Sequence, residues 1–177
     1  AVLMGLLHVF LLTREKIIAW PFGLLSVTTY AWIFYHNQLY SDVILHFAYI
    51  ALNIYSWWKW SSKTNTTNQL PVTYLNSSLK ISLPLLIISA TFGLGWFMRQ
   101  NTDADFPFGD AFTTITSLTA QVLLAFKKRE NWILWIIVDV VAIAIYSAKG
   151  LYLTAGLYLL YLAISIEGWR SWKTTEQ

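Results

Sequence analysis

Polar and aromatic side chains recur at helical spacing inside long apolar stretches of this sequence. Such groups are costly within a membrane-spanning segment, so they are functional candidates. Residues three, four or seven positions apart share one face of a helix, and four such faces occur. They comprise Tyr49, Asn53, Trp57 and Trp60; Asp110, Thr114, Ser117 and Gln121; Trp132, Trp135 and Asp139; and Tyr158, Tyr161 and Ser165. Four polar faces in one bundle predict a hydrated or ligand-filled centre.

These side chains offer recognition chemistry rather than catalytic chemistry. Asp139 places a carboxyl group deep in an apolar stretch, where it needs a proton, a partner or a cationic ligand. Amides such as Asn53 and Gln121 donate and accept hydrogen bonds, and Trp or Tyr rings stack on flat cationic groups. We therefore predict a substrate-binding set that consists of Asn53, Gln121, Asp139, Trp135, Tyr49, Trp57, Trp132, Ser117 and Tyr161.

Several enzymatic and cofactor-dependent classes lack their defining residues here. The chain has no cysteine, which excludes disulfides and cysteine-based metal or redox chemistry. No phosphate loop, metal-ligand spacing or nucleophile–base pair is visible, and the stretch 151–169 lacks the lysine of a retinal protein. Gly109 and Asp110 faintly resemble an aspartyl intramembrane protease motif, but Pro107 stands where that motif has glycine. We expect no enzyme activity, no metal and no cofactor.

The same residues also have structural interpretations. Asn53 and Gln121 can join helices by hydrogen bonds instead of lining a site. His8 and His46 are interpreted as packed or interfacial. Aromatic residues near the ends of spans often form an interfacial belt. We favour the belt for Trp57, Trp60, Trp132, Trp169 and Trp172.

The stretches that carry these residues have the composition of membrane helices. Hydrophobic residues make up 56% of the chain and charged residues 12%, whereas a soluble domain is about one-quarter charged. Lipid offers the backbone no hydrogen-bond partner, and the stretches are too long for barrel strands, so helices are required. The predicted spans are 1–13, 17–36, 39–60, 77–98, 109–127, 131–149 and 151–169. The first is shorter than the ~20 residues that cross a bilayer, so we expect the numbering to begin inside a helix.

The basic residues predict how the bundle is oriented. With seven spans, ten of the 12 Lys and Arg residues fall on one face, and only Arg99 and Lys149 fall on the other. The positive-inside rule makes the basic face cytoplasmic, with the N-terminus outside and the C-terminus inside. The stretch 61–69 is predicted to be a solvated loop on that face. The basic-face residues are Arg14, Lys16, Lys59, Lys63, Lys80, Lys127, Lys128, Arg129, Arg170 and Lys173.

Residues 14–60 and 129–172 resemble two copies of one unit. At an offset of 115, the sequence aligns Arg14, Glu15 and Trp20 with Arg129, Glu130 and Trp135. After a three-residue gap, an offset of 112 aligns Leu39, Tyr40, Leu45, Tyr49, Ala51, Ile54, Trp57 and Trp60 with Leu151, Tyr152, Leu157, Tyr161, Ala163, Ile166, Trp169 and Trp172. Four spans separate the copies, so both enter the membrane in the same direction. Parallel repeats of this kind hold their substrate between them.

The predicted architecture is therefore an all-α polytopic membrane protein with seven transmembrane helices in a 3+1+3 parallel-repeat arrangement. The first three-helix bundle is expected over 1–60. The section 61–108 holds a cytoplasmic loop, a linker helix at about 77–98 and an external loop. The second three-helix bundle and a cytoplasmic tail follow over 109–177.

Several short runs of this sequence resemble one known family. They are Phe106 to Asp110, Ala120-Gln121, Glu130 to Trp135 with Asp139, Asn53 to Trp57 with Trp60, and Gly168 to Arg170. Together they are similar to the PnuC family of bacterial vitamin transporters, from about residue 14 to residue 173. The run Glu130-Asn131-Trp132 is the most specific of them. Ser56, where the family often has glycine, is a minor departure.

The resemblance implies a nicotinamide riboside transporter with a SWEET-like fold in the bacterial inner membrane. It further implies facilitated diffusion, with the substrate trapped by a cytoplasmic kinase that phosphorylates it, and it leaves room for a homo-oligomer. A related carrier of thiamine, riboflavin or a sugar is the alternative within transport. The alternative outside transport is a membrane receptor or a structural subunit, which would have no internal cavity. No nucleic-acid partner is expected.

Overall fold

The computed structural model describes residues 1–36, 40–62 and 70–173, with the backbone alone for 40–42. These residues form seven α-helices and no β-strand, so the predicted all-α class is confirmed. Residues 63–69 of the predicted loop, including Lys63 of the basic face, and Leu39 of the repeat lie outside the described residues. The helices are α1 (Val2–Thr13), α2 (Ala19–His36), α3 (Tyr40–Ser61), α4 (Ser77–Asn101), α5 (Pro107–Ala125), α6 (Asn131–Ala148) and α7 (Tyr152–Ser171).

Local sequence signals define several helix ends. The Asn76 side chain accepts a hydrogen bond of 2.9 Å from the backbone N–H of Leu79 and so caps the start of α4. Pro107 begins α5, where its missing N–H costs nothing. Gly150 follows α6 with a φ of 73°, a left-handed conformation that glycine adopts without strain. These signals explain why the predicted and observed helix bounds agree within a few residues.

The outer surface of the bundle is apolar. Large hydrophobic side chains point outward along several helices; Leu153 is 92% exposed and Leu3 is 77% exposed. Soluble monomers rarely expose apolar surface on this scale. By length and composition alone, two of the described helices, α4 and α6, are long and apolar enough to cross a membrane. The other helices are shorter or carry more polar residues.

Six of the helices pack into a closed ring. Neighbouring pairs along it are α1–α2, α2–α3, α3–α5, α5–α6, α6–α7 and α7–α1. Helix α4 packs against α5 and takes no part in the ring. The first three helices and the last three therefore meet at two seams, α3 against α5 and α7 against α1.

The first three helices and the last three, which we now take as the two repeats, match at a single offset of 112 residues. Helix α2 and helix α6 begin and end at positions related by this offset. The preceding turns contain Glu15, with a φ of 53°, and Lys127, with a φ of 48°, which are related in the same way. The offset of 115 assigned from the sequence to the first part of the repeat is therefore wrong, since Trp20 corresponds to Trp132 and not to Trp135. Trp132 and Trp135 lie almost one helical turn apart, so sequence matching could not separate them.

Four buried tryptophans stand where the two repeats meet. Trp20 contacts Trp60 edge to face at 5.1 Å, and Trp132 contacts Trp172 in the same way at 5.4 Å. Trp60 and Trp172 meet at 6.0 Å. We call these residues the Trp cluster. The belt interpretation is wrong for Trp60, Trp132 and Trp172, each at most 2% exposed, because a buried cluster and a belt both place tryptophan at helix ends.

The absence of a side chain at Gly168 leaves room for the Trp132 ring of the Trp cluster, and a substitution there tests this packing. A Cβ at Gly168 would lie 2.5 Å from the ring of Trp132, so we expect Gly168→Ala to lower stability by about 1–3 kcal/mol through overpacking. The matched control is Gly156→Ala in the same helix, where a Cβ meets nothing within 4 Å. Thermal unfolding of the two variants in detergent provides the measurement. Equal unfolding midpoints would contradict the packing.

The segment before α4 is fixed to the second repeat. Thr73 pairs with Lys128 in an isolated parallel bridge, and the backbone N–H of Leu75 donates to Glu130 at 3.0 Å. Arg129 donates to the hydroxyl of Tyr74 at 2.8 Å. Sequence reasoning missed this contact, since only the fold brings these two segments together.

Candidate functional site

A cavity of about 250 Å³ lies within the ring of six helices. Small-molecule sites usually occupy ~300–1,000 Å³, so this cavity suits a ligand of modest size. Both repeats line it. The predicted residues found in its wall are Tyr49, Asn53, Ser117, Gln121, Trp132, Trp135, Asp139 and Tyr161.

Trp57 is the predicted site residue that lies outside this cavity. Its side chain is 37% exposed, whereas Ser56 and Trp60 on the same helix are buried. Residues four apart drift by about 40° around a helix, so Trp57 turns away from the face that Asn53 presents. Trp57 therefore does not line this cavity, and its role in substrate binding stays a prediction.

Residues outside the predicted set also line the cavity. His8 lines it, and its Nδ1–H donates to the carbonyl of Ala19 at 2.8 Å. His46 lines it too, so neither histidine is only a packing residue. The signal available for His8 was the one used for Asp139, a polar group inside an apolar stretch. The remaining polar and aromatic additions are Ser26, Tyr30, Tyr158 and Ser165.

Asp139 is a buried carboxyl group with no cationic partner among the described residues. Its side chain is 3% exposed, and Ser165 Oγ donates to its Oδ2 at 3.1 Å. The ion pairs found among the described residues involve other carboxylates. A buried carboxylate that lacks a counter-charge is costly. A cationic ligand in this cavity would remove that cost.

Two buried amides keep hydrogen-bonding atoms free. The Nδ2 of Asn53 donates to the carbonyl of Tyr49 at 2.9 Å; a carbonyl can only accept, which fixes the orientation of the amide. Neither Asn53 Oδ1 nor Gln121 Nε2 has a hydrogen-bond partner in the part of the chain that the structure describes. A Cβ at Gly23 would lie 2.6 Å from Asn53 Oδ1 and from the ring of His8, so only glycine lets both groups approach. The cavity therefore offers an unused acceptor and an unused donor.

Aromatic rings form much of the remaining wall. Tyr158 stacks on Tyr146 at 5.3 Å and contacts Tyr161 edge to face at 6.2 Å. On α3, the ring of His46 lies 5.8 Å from that of Tyr49 in an edge-to-face contact. Such rings can hold a flat or cationic ligand by stacking and cation–π contact.

The cavity has an apolar floor, and the basic side chains in its described wall are the two histidines, His8 and His46. Leu12, Leu124 and Trp132 line it and belong to the apolar core that contains the Trp cluster. None of the described lining residues is Lys or Arg. A phosphate group would therefore find no permanently charged cation among these residues.

Comparison with known proteins identifies the family. A family model described as "Nicotinamide mononucleotide transporter" matches residues 1–174. The nicotinamide riboside transporter PnuC of Escherichia coli is 31% identical over 95% of this chain and 81% of its own. The PnuC of Neisseria mucosa is 27% identical over 97% of this chain and 70% of its own.

A more distant sequence relative and a solved structure support the same family. The riboflavin/roseoflavin transporter RibM of Streptomyces davaonensis is 21% identical over 96% of this chain and 81% of its own. The crystal structure of the vitamin B3 transporter PnuC superposes with a TM-score of 0.71 at 25% identity, covering 97% of this chain and 77% of that one. This chain therefore belongs to the PnuC family of membrane transporters and is a transport protein rather than an enzyme.

Proposed function

We propose that this protein carries nicotinamide riboside across the bacterial inner membrane. The observation that carries the proposal is the buried carboxyl group of Asp139, which has no counter-charge among the described residues. The same cavity also offers a free amide acceptor and donor. Nicotinamide riboside has a pyridinium, a carboxamide and ribose hydroxyls. An ionised Asp139 offsets the pyridinium charge, and Asn53 Oδ1 and Gln121 Nε2 match the two ends of a carboxamide.

The competing ligands fit this cavity less well. A mononucleotide adds a phosphate for which the described wall holds no Lys or Arg. Riboflavin is larger and uncharged, so it would leave Asp139 without a counter-charge. Thiamine is a cation but lacks the carboxamide that would use both amides. A receptor or structural subunit predicts amides bonded to neighbouring helices, whereas Asn53 Oδ1 and Gln121 Nε2 are free.

The transport step is proposed to be alternating access in a 3+1+3 fold with a central site. Two features support it. Exchanging the repeats converts the α1–α7 seam into the α5–α3 seam, as a two-fold axis along the membrane normal would do. Helix α4 stands outside the ring, which suits a linker that crosses the membrane once so that the second bundle has the same orientation as the first. The end that carries Glu15 and Lys127 is taken as cytoplasmic.

Nicotinamide riboside carries its charge at one end, and the polar groups of the site are likewise distributed unequally between the two repeats. At the offset of 112, Asp139 corresponds to Val27, Gln121 to Val9, and Asn53 to Ser165. The symmetric scaffold therefore carries its charge in one repeat only. Rejection of phosphate further suits facilitated diffusion in which a cytoplasmic kinase phosphorylates the substrate and so traps it.

Titration of the purified protein tests the substrate. We expect nicotinamide riboside to bind at least 100-fold more tightly than nicotinamide mononucleotide, riboflavin or thiamine, which corresponds to about 3 kcal/mol. In liposomes, uptake should follow the substrate gradient and stay constant when a pH gradient is imposed. Absence of riboside binding would refute the substrate assignment. Accumulation driven by the pH gradient would refute facilitated diffusion.

A further inference from the structure

Two equivalent turn residues of opposite charge meet between the repeats. Glu15 lies in the turn between α1 and α2, and Lys127 lies in the turn between α5 and α6, 112 residues later. Both have a positive φ, 53° and 48°, so the two turns share one backbone conformation. Lys127 Nζ lies 2.9 Å from Glu15 Oε2. The same position in each repeat thus supplies one half of an ion pair that spans the interface.

Lys127 is buried beneath this contact. Its side chain is 2% exposed, while that of Glu15 is 32% exposed. The Lys127 ammonium also lies 4.5 Å from the ring centre of Trp60 in the other repeat, a cation–π distance. Buried lysine is rare unless it is paired. Separation of the repeats at this end would expose Lys127 to water and remove both of its partners.

Three further hydrogen bonds join the repeats at the same end. The indole of Trp60 donates to the carbonyl of Leu124 at 3.3 Å, and that of Trp172 donates to the carbonyl of Leu12 at 3.0 Å. Ser171 donates to the carbonyl of Thr13 at 2.9 Å. The two indole bonds are related by the offset of 112. They lie under the cavity floor formed by Leu12 and Leu124.

An ion pair at the other end of the bundle provides the contrast. Lys149 Nζ lies 3.7 Å from Asp110 Oδ2, and both residues belong to the second repeat. That pair does not cross the seams and can stay intact when the repeats move. It is the natural control for a contact that must break.

We propose that Glu15 and Lys127 form the latch of a gate whose body is the Trp cluster, and that this gate closes the cavity toward the end bearing these two turns. The proposal rests on transport by alternating access. The latch opens when the repeats separate, and the substrate then leaves past Leu12 and Leu124. Glu15 and Lys127 do not touch the substrate, so they set the balance between the two open states and leave substrate contacts unchanged.

Site accessibility measures the gate directly. The chain has no cysteine, so Val9→Cys, in the cavity wall, is a single reporter for a membrane-impermeant thiol reagent. The reagent is applied from the Glu15 face in oriented vesicles. It should label the double variant Val9→Cys/Glu15→Gln about tenfold faster than the Val9→Cys parent. Loss of a charge-assisted hydrogen bond changes the equilibrium between the closed and open gate by about this factor. Lys149→Gln should label at the parental rate.

Charge exchange separates a latch from a general defect. We expect Glu15→Lys and Lys127→Glu each to raise the labelling rate, and the double exchange to return it to within roughly threefold of the parent because the opposite charges meet again. Glu15→Asp keeps the charge on a shorter side chain, so its labelling rate should lie between those of the parent and of Glu15→Gln. This conservative variant tests the latch even if the other variants fail to fold. An unchanged rate in Glu15→Gln, or a double exchange no better than the single changes, overturns the latch. The labelling needs no substrate, so failed riboside binding would count against the substrate assignment alone and would leave the gate untouched.

Discussion

Asp139→Asn is expected to lower the affinity for nicotinamide riboside by about 100-fold. Two unit charges about 5 Å apart interact by ~3 kcal/mol at an effective dielectric constant of ~20, and a tenfold change in affinity corresponds to ~1.4 kcal/mol. Asparagine keeps the shape and can still accept from Ser165 but has no charge to offset the pyridinium. Isothermal titration of the purified variant gives the affinity directly.

A neutral ligand distinguishes charge from shape at Asp139. The reduced riboside, whose dihydropyridine ring is uncharged, should bind Asp139→Asn about as well as it binds the unsubstituted protein. Asp110→Asn is the control for a general effect of losing a carboxylate, since Asp110 pairs with Lys149. If both ligands lose affinity equally in Asp139→Asn, the carboxylate serves the fold and not the cation.

Asn53→Ala and Gln121→Ala are each expected to weaken riboside binding by about 10- to 100-fold. Each amide has a buried polar atom without a partner among the residues described, Asn53 Oδ1 and Gln121 Nε2. A ligand that satisfies such an atom gains ~1–3 kcal/mol relative to one that leaves it unpaired. The affinities of both variants, with the unfolding midpoint of each, provide the measurement.

A series of ligands shows whether Asn53 and Gln121 form hydrogen bonds with the carboxamide of the substrate. The riboside whose carboxamide is replaced by an ester loses the N–H donors, so it should already bind weakly and lose little more in Asn53→Ala. Thr29→Ala is the matched control, because Thr29 is bonded to its own helix at the carbonyl of Leu25 and does not line the cavity. Unchanged riboside affinity in both amide variants would assign Asn53 and Gln121 to helix packing.

Gating and binding are expected to respond to different substitutions. Asp139, Asn53 and Gln121 lie in the wall of the cavity, so their substitution should change affinity. Glu15 and Lys127 lie in the turns that join the repeats, so their substitution should change accessibility from one face. A symmetric scaffold permits this division because Asp139, the proposed charged contact, lies in one repeat, whereas the proposed latch takes one residue from each.

The sequence by itself determined the helices, the repeat and most of the polar wall of the cavity. Lipid excludes unpaired backbone groups, so apolar length predicts helices, and the predicted bounds of the second and sixth spans, 17–36 and 131–149, lie close to the observed Ala19–His36 and Asn131–Ala148. Buried polar groups are costly, which is why the sequence alone identifies Asn53, Gln121 and Asp139 as candidates. The short motifs around Glu130 and Trp135 were sufficient to indicate the family.

Only the tertiary structure decided which partners these faces meet. Helical periodicity locates a face to within a few tens of degrees, which could not separate Trp57, outside the cavity, from Asn53, within it. The register of the repeat, with Trp132 and not Trp135 opposite Trp20, depended on turns that the alignment misread. The pairing of Glu15 with Lys127 joins residues 112 positions apart. A periodic pattern records how one helix faces its surroundings, whereas contacts between helices depend on how the whole ring closes.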